Sequence, residues 1–167
     1  GRNYTAAIEA ACRTGNATCC GTGLNPGFIG EKIAAAATGL CSRIDHVFVS
    51  EIAEANLIQD ANYVFDILGF GSEPGAINPN DPDWPPAEIL NGMYTEVVAH
   101  LVHRLGFRLD GVETDHVMLP ATTDINAAAG VIKKGRIGHT NWRWHGISLE
   151  ERRVTLSISW IMETAHL

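Results

Sequence analysis

Several residue types that mark particular functions are scarce or badly spaced in this chain of 167 residues. Lysine and arginine number 12 against 19 acidic residues, giving −7 with histidine neutral. A basic surface for nucleic acid or anionic lipid is therefore not expected. No apolar run approaches the ~18 residues that a membrane-spanning helix needs. The opening residues, Gly-Arg-Asn-Tyr-Thr, have neither the charged nor the apolar segment of a secretory leader, so the expected compartment is the cytoplasm. Cys12, Cys19, Cys20 and Cys41 show no C-x-x-C spacing, and adjacent Cys19 and Cys20 on a strand would point to opposite faces. They read as reduced small hydrophobes, not as disulfides or zinc ligands. His100 and His103 lack an H-E-x-x-H frame and a third ligand, and they read as part of a solvated helix face. No metal is expected.

What is present is enough apolar residue, 46%, for a real core in one domain or one domain plus a fragment. Tyr4–Arg13 reads as a helix closed by Gly15, and Ala17–Cys20 as a short strand. Phe28–Gly39 reads as a second, alanine-rich helix. Ile44–Ile52 is β-branched and reads as a buried strand. Ala61–Leu68 reads as a short helix stopped by Gly69 and Gly71. Ser72–Pro86, with five prolines and Trp84, reads as an irregular loop.

Ala87–Leu105 is the clearest helix, with a broad apolar stripe from Ile89, Leu90 and Met93 to Leu105. Strands are expected at Val112–Leu119, Ile125–Ile132, Arg136–Ile147 and Arg153–Met162. The last alternates, with Val154, Leu156, Ile158, Trp160 and Met162 on one side. Trp142 and Trp144 share a face, which suits core or subunit-interface packing. The sum is an α+β domain with a mixed, largely antiparallel sheet covered by helices on one face.

The segment with the most chemistry is Cys20-Gly-Thr-Gly-Leu-Asn-Pro-Gly-Phe28. Gly21, Gly23 and Gly27 let backbone approach a ligand, and the following helix start favours a negative or electron-rich group. Glu51 follows at about the distance of a ribose-binding acid in a dinucleotide fingerprint. Pro26 argues against that fingerprint: it removes a donor from the loop and biases Asn25 toward extended backbone. Either an ordinary turn or a ligand-contacting one fits the spacing. Asn25 suits substrate orientation or helix capping. Glu51 suits acid–base or ammonium contact, or a solvated strand end. Asp66 and His116 read as surface or satisfied polar residues.

Three motifs in order, Gly21–Phe28, Gly39-Leu-Cys-Ser-Arg-Ile-Asp45 and Phe65-Asp-Ile-Leu-Gly-Phe-Gly71, carry a resemblance. The chain resembles the dihydrodipicolinate-reductase-like oxidoreductases of actinobacteria, relatives of 2,4-diaminopentanoate dehydrogenase. That resemblance implies an N-terminal Rossmann domain for NAD or NADP and a second domain for substrate and oligomer contacts. Residues 1–22 would then be the last helix and strand of the nucleotide domain, and 23–167 the substrate and oligomerisation domain. The phosphate-binding loop that the family carries upstream is not in the sequence, which implies a fragment or a reduced paralogue, inactive in isolation.

The implied cofactor contacts are Gly21, Thr22, Gly23, Asn25, Pro26 and Gly27, with Asn25 and Glu51 as catalytic candidates. The implied reaction is hydride transfer at the amine or imine carbon of a small amino-acid-like substrate. The implied assembly is a homo-oligomer, a dimer or tetramer, with no nucleic-acid or membrane partner. The rival is a non-catalytic dimerisation or small-molecule-binding module using Trp142, Trp144 and Trp160. A stand-alone hydro-lyase or isomerase is a third reading.

Overall fold

The computed structural model describes residues 4–21 and 23–163. Thr22 lies outside them. Helix α1 (Tyr4–Gly15) is followed by a π-helical turn, Ile29–Ala34, that runs into α2 (Ala35–Thr38). Strand β1 (His46–Glu54), a second π-helical turn (Asn62–Ile67) and α3 (Pro85–Arg104) come next. The remaining strands are β2 (Leu109–Thr114), β3 (Val117–Pro120), β4 (Ile125–Ala127), β5 (Gly130–Ile132), β6 (Ile137–Ser148) and β7 (Arg153–Ile161).

The main sheet has five strands in the order β1-β7-β6-β2, with β3 also paired to β6. β1 runs parallel to β7, Val49 opposite Leu156, and the other pairings are antiparallel. The fold is α+β with a mixed sheet, and α3 covers one face. Val97, Val98, Leu101 and Val102 of α3 meet Trp142, Trp144, Val154, Leu156 and Ile158 in the principal core. A smaller core gathers Val64, Phe70, Ile125, Ile132, Ile137 and Met162 around the β4–β5 hairpin. Trp160 touches both cores. Burying such side chains contributes roughly 1.5–3 kcal/mol each, so this seam fixes where α3 lies.

Several expectations are corrected. Ala17–Cys20 forms no strand: its residues are exposed, and no segment pairs with them among the described residues. An isolated run of four residues has no ladder to join. Of the expected helix–strand pair only α1 is present, and it buries no residue. The helix from Phe28 begins as a wider turn, with Ile29 N–H reaching the Leu24 carbonyl and Ile33 N–H reaching that of Phe28. Residues 61–68 likewise form a π-helical turn instead of an ordinary helix.

The strand expected over Val112–Leu119 is broken at Asp115–His116, where His116 turns inward to 2% exposure. Ile125–Ile132 is a hairpin of two short strands and not one strand. Ile89 and Met93 of the α3 stripe are exposed, so that face is wider in sequence than in packing. On β7 burial is not one-sided as expected: Thr155, Ser157 and Ile161 of the second face are buried along with Val154, Leu156 and Ile158. Trp142 and Trp144 take the core half of their expected role, as interior residues of the principal core. The four cysteines are free thiols; Cys12 is half-buried and Cys19, Cys20 and Cys41 are exposed, so these three do not pack as small hydrophobes.

Candidate functional site

The glycine turn is shaped by contacts that two of its glycines make necessary. A Cβ on Gly23 would lie 2.8 Å from the Pro26 carbonyl oxygen, and Gly27 sits at φ +132°, where side chains are strained. The Asn25–Pro26 peptide is cis. Gly21 differs: a Cβ there would meet nothing within 4 Å, so packing does not require a glycine at that position. A cavity of about 390 Å³ is lined by Gly21, Gly23, Asn25, Pro26, Gly27 and Glu31. An adjoining one of about 400 Å³ shares Gly21, Pro26, Gly27 and Glu31 and extends over α3 to Met93, Glu96 and His100.

The two catalytic candidates, 26 residues apart in sequence, meet here. Asn25 Nδ2 donates to Glu51 Oε2 at 2.5 Å. The register of β1 against the central strand β7 delivers Glu51 to this place, opposite Ile158. Glu51 is half-buried, not a solvated strand-end group. Because only the amide nitrogen can donate, the Asn25 Oδ1 is turned away from Glu51. That oxygen is buried and receives no hydrogen bond, and the same is true of Glu31 Oε2. Asn25 does not cap the following helix through its side chain: the cap position is Phe28, and no side-chain cap bond forms.

Tyr94 of α3 feels the acids of this cluster. It is 7% exposed. Its hydroxyl is pushed up to about 12, first by burial, then by the nearby Glu51, Tyr63 and Glu31. Both carboxyl groups therefore lie within electrostatic reach of one buried phenol. Sequence reasoning missed Glu31 and Tyr94. An acid in a first helical turn is ordinary, and Tyr94 lies among the buried residues of α3.

The other polar centre is His116. The Arg143 backbone N–H donates to His116 Nδ1 at 3.0 Å, which places the ring hydrogen on Nε2. That hydrogen goes to Asn91 Oδ1 at 2.9 Å, and Trp144 Nε1–H reaches the same oxygen at 2.8 Å. Asn80 clasps the His116 backbone at both its N–H and its carbonyl, each at 2.8 Å. Burial lowers the His116 pKa to about 4, opposed in part by Asp115. It is a satisfied interior group, as expected, and Asp66 is exposed. His100 and His103 are exposed on α3.

The fold and this geometry define an α+β domain with an acceptor-rich cleft beside a glycine turn. No protein-family model matches the chain, and no curated protein matches it. Among solved structures it is similar to an amine dehydrogenase from Mycobacterium smegmatis, with a TM-score of 0.66 at 15% identity. The match covers 99% of this chain and 48% of that one, so the chain spans about half the length of that protein. At this identity the likeness shows a shared fold.

Proposed function

We propose that this chain is the substrate-side portion of an oxidoreductase that moves hydride between NAD or NADP and the amine or imine carbon of a small amino-acid-like substrate. The reading places it with the dihydrodipicolinate-reductase-like enzymes. The observation that carries it is the Asn25–Glu51 hydrogen bond, which leaves a donorless Asn25 oxygen beside a cavity under the glycine turn. The shared fold with a protein named an amine dehydrogenase supports it.

The residues suit the nicotinamide end of a cofactor better than its pyrophosphate. Gly21 leaves open the space a side chain would fill, and the turn has lost one backbone donor to Pro26. The bound cofactor would supply or accept the hydride. Gly21, Gly23, Asn25, Pro26 and Gly27, with Thr22 from the sequence, would border the nicotinamide. Asn25 would orient the amine, and Glu51 would fix the Asn25 amide and hold negative charge behind it. Tyr94, kept protonated across the neutral range, would serve as a hydrogen-bond donor.

The natural gene product should reduce NAD⁺ or NADP⁺ in the presence of an amine. Asn25→Ala should lower turnover at least about tenfold while changing stability by under about 1 kcal/mol. Absence of amine-dependent reduction with both cofactors overturns the reading. Of the three tryptophans of the rival assembly module, Trp142 and Trp144 are interior and Trp160 is half-buried. Light scattering tests the expected dimer or tetramer.

A further inference from the structure

We propose that His46, Thr155 and His145 form a one-proton relay on the face of the main sheet away from α3, and that this relay is a pH-operated latch on the first residues of the edge strand β1. None of the three lines either cavity at the glycine turn, and the relay stands independently of the oxidoreductase reading. His145 of β6 lies opposite Thr155 of β7, and His46 opens β1 one row away. His46 Nε2 is 2.9 Å from Thr155 Oγ1, and His145 Nδ1 is 3.0 Å from the same oxygen. His145 Nε2 is 2.9 Å from Asp115 Oδ1. Thr155 is 2% exposed, so its hydroxyl depends on these partners.

The chemistry of these atoms fixes where the hydrogens lie. A carboxylate only accepts, so His145 Nε2 carries a hydrogen. In the neutral ring Nδ1 is then bare and takes the Thr155 hydroxyl hydrogen. The Thr155 oxygen has only accepting capacity left, so His46 donates to it through Nε2–H. One added proton reverses this order. It enters at His145 Nδ1, which then donates to Thr155. The hydroxyl hydrogen turns to His46 Nε2, and His46 carries its own hydrogen on Nδ1 instead.

The surrounding charges favour this single uptake at His145. Its Nε2–H already meets the Asp115 carboxylate, which Arg143 shares at 2.8 Å, and Glu113 of β2 lies opposite it in register. His46 is held below its ordinary value, first by partial burial, then by Arg153 and His145. The neighbouring Asp45 is taken by Arg43 and Arg152. A second proton would set two ring cations on one buried hydroxyl, both donating, with the hydroxyl hydrogen left without a ring to accept it. His46 is exposed and opens a strand paired on one side alone, so it is the partner that leaves. The latch therefore holds with no proton or one added, and opens with two. The strand it holds also carries Glu51.

Ring-nitrogen NMR and amide hydrogen exchange on the full chain, from about pH 8 to about pH 5, test both parts. As His145 gains its charge, His46 should pass from the Nε2–H to the Nδ1–H tautomer. At the acid end, protection of the Val47 and Val49 amides, opposite Val154 and Leu156, should fall at least about tenfold while that of β6 is unchanged. Thr155→Val should abolish the tautomer change and leave Val47 poorly protected at every pH. Thr155→Ser, which keeps the hydroxyl, should restore both responses. A His46 ring that keeps one tautomer throughout in the wild type, or a tautomer change that survives Thr155→Val, overturns the relay. Protection of Val47 that does not vary with pH in the wild type overturns the latch.

Discussion

Two polar clusters, one around His116 and one at the glycine turn, are built on opposite principles. Around His116, each ring nitrogen and the backbone N–H and carbonyl have a partner between 2.8 and 3.0 Å. Around the glycine turn, Asn25 and Glu31 each leave an oxygen buried and unmet. The first cluster joins β6, the proline-rich loop and α3, and the His116 ring sits tilted against Trp142 and edge-on to Trp144 at centroid distances of 4.9 and 5.1 Å. Its polar groups are spent on structure. The second cluster retains hydrogen-bonding capacity that the fold does not use. A polar network that is complete rigidifies, and one left incomplete beside a cavity marks where a ligand would finish it.

This contrast can be broken by mutation, beginning with the largest effect. Asn91→Ala strips the shared acceptor from His116 Nε2–H and Trp144 Nε1–H, two donors in a dry interior. We expect a loss of about 2–4 kcal/mol in denaturant unfolding. A loss below about 1 kcal/mol would show that the His116 cluster is not structural.

Acid should attack the same cluster. With His116 lowered to about 4 in the fold and near 6.5 when unfolded, only the unfolded chain takes up the proton between those values. Stability is therefore unaffected by this group above pH 6.5 and falls as pH drops toward 4, by up to about 3 kcal/mol. Unfolding curves measured across that range should show the decline. A flat profile would mean that the buried ring titrates normally.

The glycines sharpen the other half of the comparison. Gly23→Ala drives a Cβ against the Pro26 carbonyl and should cost about 1–3 kcal/mol of stability. Gly21→Ala meets nothing within 4 Å and should change stability by under about 0.5 kcal/mol. It should nonetheless weaken amine binding, because the new methyl enters space beside the cavity. Equal stability losses from both substitutions would place Gly21 under packing after all.

The elements that sequence revealed were those whose side chains repeat with a clear period over many residues. Helix α3, β1, β6 and β7 are found within a few residues of their expected bounds. Asn25 and Glu51 were singled out for separate reasons, one for its place in the turn and one for its position near a strand end. Their meeting depends on β1 lying parallel to β7, a long-range pairing that no local pattern encodes.

Short segments misled for a different reason. Ala17–Cys20 has strand-like residues but no neighbour to pair with, and Ile125–Ile132 hides a turn that uses alanines in place of the usual turn residues. Glu31 was invisible as a site residue because an acid in a first helical turn has an ordinary explanation. Only the widened π-helical turn and the missing partner set it apart. Tyr94 escaped because its ring packs like its apolar neighbours, while its buried hydroxyl feels the acids.

The most direct measurement is amine-dependent reduction of NAD⁺ or NADP⁺ by the gene product, compared with its Asn25→Ala variant. Reduction by the wild type and a loss of at least about tenfold in turnover for the variant, with stability changed by under about 1 kcal/mol, is the expected result. Absence of reduction with both cofactors, or unchanged turnover in the variant, would contradict it.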